Sequence, residues 1–250
     1  MTGSATASVV PDPFHVTILL FPGVTQLDFT GPMEVLHRVP GLRIDLAWKS
    51  LEPVECAAQV PPALRVLPSV TLGALQRTDL LLVPGGPGVS ALMGDDEVLD
   101  FLLRLAGAAR YVTSVCTGAL VLGAAGLLQG YRATTHWAHH DWLALLGAIP
   151  VAGRVVVDRN RITGGGVTSG IDFALRVIAE IWGERRAEIA QLGLEYDPQP
   201  PFAAGHPSCA PVEVLETLRR GMQPMTERTR LAAVAAAAKL GLNAQPGPSA

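Results

Sequence analysis

The chemistry in this chain is concentrated where a strand-like run meets a helix-like run at a cysteine. In Tyr111-Val112-Thr113-Ser114-Val115-Cys116-Thr117-Gly118-Ala119-Leu120 the apolar strand pattern ends at Cys116 and a helical pattern follows. A tight turn of this kind lifts a nucleophile out of a sheet, and small neighbours such as Gly118 and Ala119 leave room for it. The helix N-terminus behind it offers free N–H groups and a partial positive charge. On that ground the thiol is expected to titrate below the ordinary value of about 8.5. The plain alternative is a buried structural cysteine, the commoner fate of a lone Cys.

Two further segments can meet that sulfur. Val83-Pro84-Gly85-Gly86-Pro87-Gly88 puts glycines directly after an apolar strand, so backbone N–H groups can approach a ligand closely. With donors near Gly86 and Thr117, an oxyanion-type hole is one reading, and an ordinary strand-to-helix turn is the other. A phosphate loop is disfavoured, because no Gly-Lys-Ser/Thr follows. In Gln26-Leu27-Asp28-Phe29-Thr30-Gly31-Pro32 the carboxylate of Asp28 stands where a loop enters a helix. Taken alone it reads as an N-cap.

Positioning these groups requires an alternation of elements, and the apolar spacing supplies one. Strands are expected at Phe14–Phe21, Arg43–Lys49, Asp79–Pro84 and Tyr111–Val115, with a hairpin of Val155–Asp158 and Arg161–Thr163 about Arg159-Asn160. Helices are expected at Asp28–Val39, Asp95–Ala108, Thr117–Ala125 and Thr168–Trp182. Fully apolar strands alternating with helices argue for a mostly parallel central sheet covered on both faces. Residues 1–13 and 243–250 read as flexible tails, 14–196 as an α/β domain, and 197–242 as an appendage with helices near Val212–Arg219 and Thr226–Lys239.

Composition narrows the function classes. The 250 residues are 49% hydrophobic and 16% charged, which excludes disorder for the bulk of the chain. A net charge of -3 and no basic stripe argue against nucleic acid as partner, and the chain after Tyr196 shows no basic recognition helix. No apolar run approaches the roughly 18 residues of a membrane helix. The first Lys or Arg is Arg38, so a signal peptide is not expected. Three cysteines, at 56, 116 and 209, suit a reduced cytoplasmic setting better than a disulfide framework. His136 and His140 are spaced to share a helix face, but no third ligand accompanies them, so no metal is expected. Asp172 reads as a first-turn helix carboxylate.

Together, Leu27-Asp28-Phe29-Thr30-Gly31-Pro32, Val83-Pro84-Gly85-Gly86, Ser114-Val115-Cys116-Thr117-Gly118-Ala119, Gly126-Leu127-Leu128 and Arg132-Ala133-Thr134-Thr135-His136-Trp137 resemble the ThiJ/PfpI superfamily, relatives of class I glutamine amidotransferases. The resemblance runs from about Phe14 to about Trp182 and is specific for the superfamily; within it the pattern is similar to that of the isonitrile hydratase branch. It implies a flavodoxin-like α/β sandwich, usually dimeric, acting on a small molecule without a cofactor. It implies Cys116 as nucleophile, Asp28 as acid and base where many members have glutamate, and Thr117 assisting through its hydroxyl or N–H. Other branches place a histidine after the cysteine, so Thr117 counts against peptidase activity. The candidate substrate-facing residues are Gly85 and Gly86 through their backbone, His136 (packed near the site or bonding backbone), Trp137 (core or pocket wall) and Thr168, whose turn lies close to the site in relatives and which reads equally as an N-cap. Other cysteine hydrolase or glyoxalase-like activities use the same fold, and AraC-type regulators carry a similar domain, so a ligand-sensing or redox-regulatory role is the alternative.

Overall fold

The computed structural model describes residues 13–242. The tails expected at 243–250, and at 1–13 apart from Pro13, lie outside the described residues.

In chain order the strands are β1 (Phe14–Leu19), β2 (Leu42–Trp48), β3 (Val54–Glu55), β4 (Arg65–Val66), β5 (Val70–Thr71), β6 (Leu80–Val83), β7 (Tyr111–Val115), β8 (Arg132–Ala133), β9 (Ile149–Pro150), β10 (Val155–Asp158) and β11 (Arg161–Gly164). The helices are α1 (Gln26–Leu36), α2 (Val89–Leu92), α3 (Asp96–Ala106), α4 (Gly118–Ala124), α5 (Trp142–Leu145), α6 (Ser169–Trp182), α7 (Glu184–Gly193) and α8 (Val212–Lys239), with a 3₁₀ turn at Trp137–His139. Seven strands form one sheet in the order β10-β11-β7-β6-β1-β2-β5. Every pairing in it is parallel except the β10–β11 hairpin, turned by Arg159 at φ 55°. The mostly parallel α/β sheet expected from the apolar runs is therefore present. β6 is buried at all four positions, as a strand covered on both faces must be. On one side α1, α6 and α7 pack together, while α2, α4, α5 and α8 form a second group.

The register decides where chemistry can happen. Val83 of β6 pairs with Ser114 of β7, and Val115 pairs with Gly164 of β11. The carboxyl ends of β11, β7 and β6 are thus level, with β1 next in the sheet. The segments leaving these strands meet at one edge, where open parallel sheets form their sites.

Close backbone packing holds that edge. A Cβ built on Gly118 would stand 2.0 Å from the Val83 carbonyl oxygen. The glycine thus makes room for β6 rather than only for the neighbouring sulfur. Gly118→Ala is expected to destabilise the fold by about 3 kcal/mol, since the obstacle is backbone that cannot swing aside. Thermal unfolding of the variant checks this, with a Tm drop of roughly 6–12 °C.

Two expected helices prove to be one. The segments near Val212–Arg219 and Thr226–Lys239 join as α8, with Pro224 inside it. Proline signals a break because it lacks an N–H and crowds the preceding turn. Here burial of Thr229, Ala233, Ala236 and Ala237 in the second half carries the helix through that fault. Pro224→Ala should stabilise α8 by about 1–3 kcal/mol, read as a higher denaturant midpoint. The pieces α2, α5, α7, β3, β4, β5, β8 and β9 carry no periodic signal long enough to read from the chain.

Candidate active site

Cys116 follows β7 directly and adopts φ 56°, a left-handed conformation that costs a non-glycine residue energy. Backbone bonds hold it there. Its N–H is shared between the carbonyls of Gly164 (3.0 Å) and Gly165 (2.8 Å), and its own carbonyl accepts the Thr135 hydroxyl at 2.8 Å. The sulfur receives N–H bonds from Thr117 and Val167. The strand–cysteine–helix turn expected from the sequence is therefore present.

The expected low titration point of the thiol is not. Burial pushes Cys116 well above the ordinary thiol range, and the charge of Asp28 pushes the same way. The two N–H bonds oppose this without overcoming it. A helix N-terminus is a local feature, whereas desolvation of a residue only 5% exposed is a property of the whole fold.

Asp28 faces the sulfur from α1. It is not the N-cap, a position taken by Thr25, but sits inside the first turn and is fully buried. One carboxyl oxygen, Oδ2, accepts the Gly85 N–H at 2.9 Å, and Oδ1 has no hydrogen-bond partner. Burial raises its pKa to about 7, while the Gly85 N–H and the Cys116 thiol pull it down. The dominant cause is desolvation rather than repulsion by a neighbouring charge. Above about pH 7 the Cys116–Asp28 pair carries one proton, as thiol and carboxylate.

The glycine loop positions both partners. Gly86 N–H donates to Thr117 Oγ1 at 3.0 Å, while Gly85 N–H serves Asp28 and Thr117 N–H serves the sulfur. The donors expected to form an oxyanion-type hole are thus engaged by protein groups. A Cβ on Gly85 would come within 2.5 Å of Thr117 N and 2.9 Å of Asp28 Oδ2, so a side chain there would separate the pair. Because Thr117 Oγ1 accepts from Gly86, its own hydroxyl proton is directed elsewhere.

The remaining expected residues each have surroundings of their own. His136 is half-buried; Ala138 N–H donates to its Nδ1 at 3.3 Å, and its ring lies against Gly166, where a Cβ would meet Cδ2 at 3.0 Å. Burial lowers its pKa, so the ring is neutral. It does not share a helix face with His140, because the chain between them forms a 3₁₀ turn. Trp137 lines a cleft of about 290 Å³ with Trp142, Met222 and Thr226. Thr168 holds the N-cap position of α6 without making a capping bond; it is exposed, and Arg154 donates to its hydroxyl at 3.4 Å. Asp172, in the first turn of α6, accepts from Arg154 (2.7 Å) and from the Tyr196 hydroxyl (3.0 Å). Cys56 is buried in the core and Cys209 is exposed, both away from any elbow. Among the described residues no three His, Cys, Asp or Glu side chains gather as a metal site. Sequence reasoning gave no role to Thr135; Gly165 and Val167 lie in the Gly164–Ser169 turn, which in relatives lies close to the site, and act through backbone atoms that carry no side-chain signal.

With the geometry in hand, known proteins provide the comparison. The DJ-1/PfpI family matches residues 14–180. The isonitrile hydratase of Pseudomonas putida is 51% identical over 228 residues, covering 91% of this chain and 98% of that protein. A ThiJ/PfpI family protein from Pseudomonas syringae, solved by crystallography, superposes with a TM-score of 0.85 at 41% identity, covering 92% of this chain and 97% of that one. The HTH-type transcriptional regulator GbdR of Pseudomonas aeruginosa is 27% identical over 72% of this chain and 50% of its own length.

Proposed function

Because this chain belongs to the DJ-1/PfpI family, we propose that it is an isonitrile hydratase, converting a small isonitrile and water into an N-substituted formamide through a Cys116 thioimidate. The observation that carries the reading is the fully buried Asp28 carboxyl, held by the Gly85 N–H and facing the buried Cys116 sulfur. Similarity to the Pseudomonas putida enzyme over nearly its whole length supports it.

The terminal carbon of R–N≡C is electrophilic. As sulfur bonds to it, the thiol proton passes to Asp28, and Asp28 delivers that proton to the same carbon, giving R–N=CH–S–Cys116. Asp28, now a carboxylate, takes a proton from water while hydroxide adds to the carbon, and the proton goes on to nitrogen. The carbon–sulfur bond of R–NH–CH(OH)–S–Cys116 then breaks. The hydroxyl proton returns to the pair and R–NH–CHO leaves. One carboxyl alternates between base and acid around a covalent intermediate. The Thr117 hydroxyl donates toward the substrate nitrogen. Gly85 and Gly86 serve by holding Asp28 and Thr117, whereas His136, Trp137 and Thr168 border the substrate. The chemistry requires no cofactor or metal.

The protein acts in the cytoplasm as a homodimer, with residues 14–196 as the catalytic α/β unit and 197–242 as its appendage. Three free cysteines fit a reducing compartment, and among the described residues no helix is long and apolar enough to cross a membrane. The test is incubation with a simple alkyl isonitrile. Loss of the N≡C infrared stretch, appearance of the formamide and a mass adduct on Cys116 are the expected results. A protein that binds isonitrile without releasing formamide would instead be a sensor, the role suggested by likeness to the GbdR regulator.

A further inference from the structure

We propose that Thr135 is a positioning residue for the Cys116 sulfur: its hydroxyl holds the Cys116 carbonyl and thereby sets the peptide plane whose other end turns the Thr117 N–H onto the sulfur. The proposal deepens the reading above and rests on it for its catalytic consequence.

A single peptide unit is rigid. The carbonyl of Cys116 and the N–H of Thr117 belong to one plane, so fixing one fixes the other. The carbonyl accepts the buried Thr135 hydroxyl at 2.8 Å. The competing bond from the helix, Ala119 N–H to the same oxygen, is long at 3.5 Å. The preceding peptide is tied separately, through the Cys116 N–H, to Gly164 and Gly165. Thr135 is therefore the short anchor on the side of the elbow that bears the sulfur's donor. A hydroxyl bonded to an amide oxygen also polarises that amide, which makes its N–H a better donor.

Thr135 is itself well placed for this. Thr134 N–H donates to Thr163 Oγ1 at 2.9 Å, and the Thr134 hydroxyl donates to the Gly153 carbonyl at 3.0 Å, which locks the segment onto β11. Of the ionisable groups around the sulfur, Asp28 on α1 acts on it directly, and His136, beside Thr135, is kept neutral by burial. Neither changes when the Thr135 hydroxyl is removed, so a change in thiol reactivity reports the peptide plane.

The experiment follows alkylation of Cys116 by iodoacetamide against pH in the full-length protein, read by mass on the Cys116 peptide so that Cys209 does not interfere. Thr135→Val and Thr135→Ala should alkylate about tenfold more slowly at each pH below the midpoint, equivalent to an upward shift of about one pH unit. Thr135→Ser should return to within about twofold of the parent. Thr134→Val loses a neighbouring hydroxyl–carbonyl bond and serves as the structural control, with a lower Tm and the parental alkylation profile. The proposal is overturned if both Thr135 variants lose stability yet keep the parental profile, or if Thr135→Ser is as slow as Thr135→Val. Alkylation needs no isonitrile, so this result stands apart from whether the parent makes formamide. Where it does, kcat should fall in step with alkylation.

Discussion

Cys116→Ala makes no formamide: kcat falls by about 10⁴ or more, the scale seen when a covalent nucleophile is removed. The fold survives, because the change trims a side chain already enclosed and leaves the bonds from Cys116 to Gly164, Gly165 and Thr135 on the backbone. Infrared loss of the N≡C stretch, followed beside circular dichroism of the same sample, measures both quantities. Cys116→Ser is the more demanding form of the test. It keeps the geometry and the carboxyl partner but replaces a sulfur nucleophile by a hydroxyl of far lower acidity, and it too is expected to be inactive. Hydration at more than a few per cent of the parental rate by a folded Cys116→Ala protein would remove the thioimidate from the scheme.

The second large effect concerns Asp28 and runs in opposite directions for activity and stability. Asp28→Asn should lower kcat by about 10³ or more, since an amide neither takes the thiol proton nor passes it to carbon. It should also stabilise the protein at alkaline pH. The ordinary carboxyl pKa of 3.8 is raised in the fold to about 7. Between those two values the folded state binds more protons than the unfolded one, so stability declines as pH rises through that window and is level above it. The ionised, buried carboxylate therefore costs on the order of 4 kcal/mol near pH 8, and the neutral asparagine does not carry that cost. Denaturant titrations at pH 5 and pH 8 read it: the variant gains at pH 8 and far less at pH 5. In the parent, kcat/KM should rise with pH through about 7, as Asp28 loses the proton that prevents it from accepting another. The form that is competent for attack is the less stable one. A parent whose rate falls across that interval would reverse the assigned roles.

Much of this arrangement is legible in the chain. The buried strands β1, β6 and β7 announce themselves as apolar runs closed by Pro-Gly, Gly-Gly or Cys-Thr-Gly, and α3 and α6 by their periodic faces. The cysteine elbow, the glycine loop and the Asp28 segment stand out because each breaks such a pattern. Three features are not legible, for separate reasons. Elements of two to four residues, such as β8, β9 and α5, exist only through tertiary contacts and leave no period. α8 continues through Pro224 because packing around Ala233 and Ala237 outweighs a local breaker. The titration of Cys116 depends on how much water the whole fold removes, which the adjacent residues do not reveal. Thr135 escapes notice because its role is directed at a carbonyl, and every residue has one.

The way the sheet ends has a consequence for handling the protein at high concentration. A long, unpaired outer strand is a template on which a second chain can add. Here one margin is β5, two residues long, and the other is β10, turned back antiparallel and closed by the Asp158–Arg159 ion pair. Neither margin offers a long apolar ladder for strand addition, so the native protein should stay dispersed when concentrated, and self-association through the sheet should require that β10 first peel away.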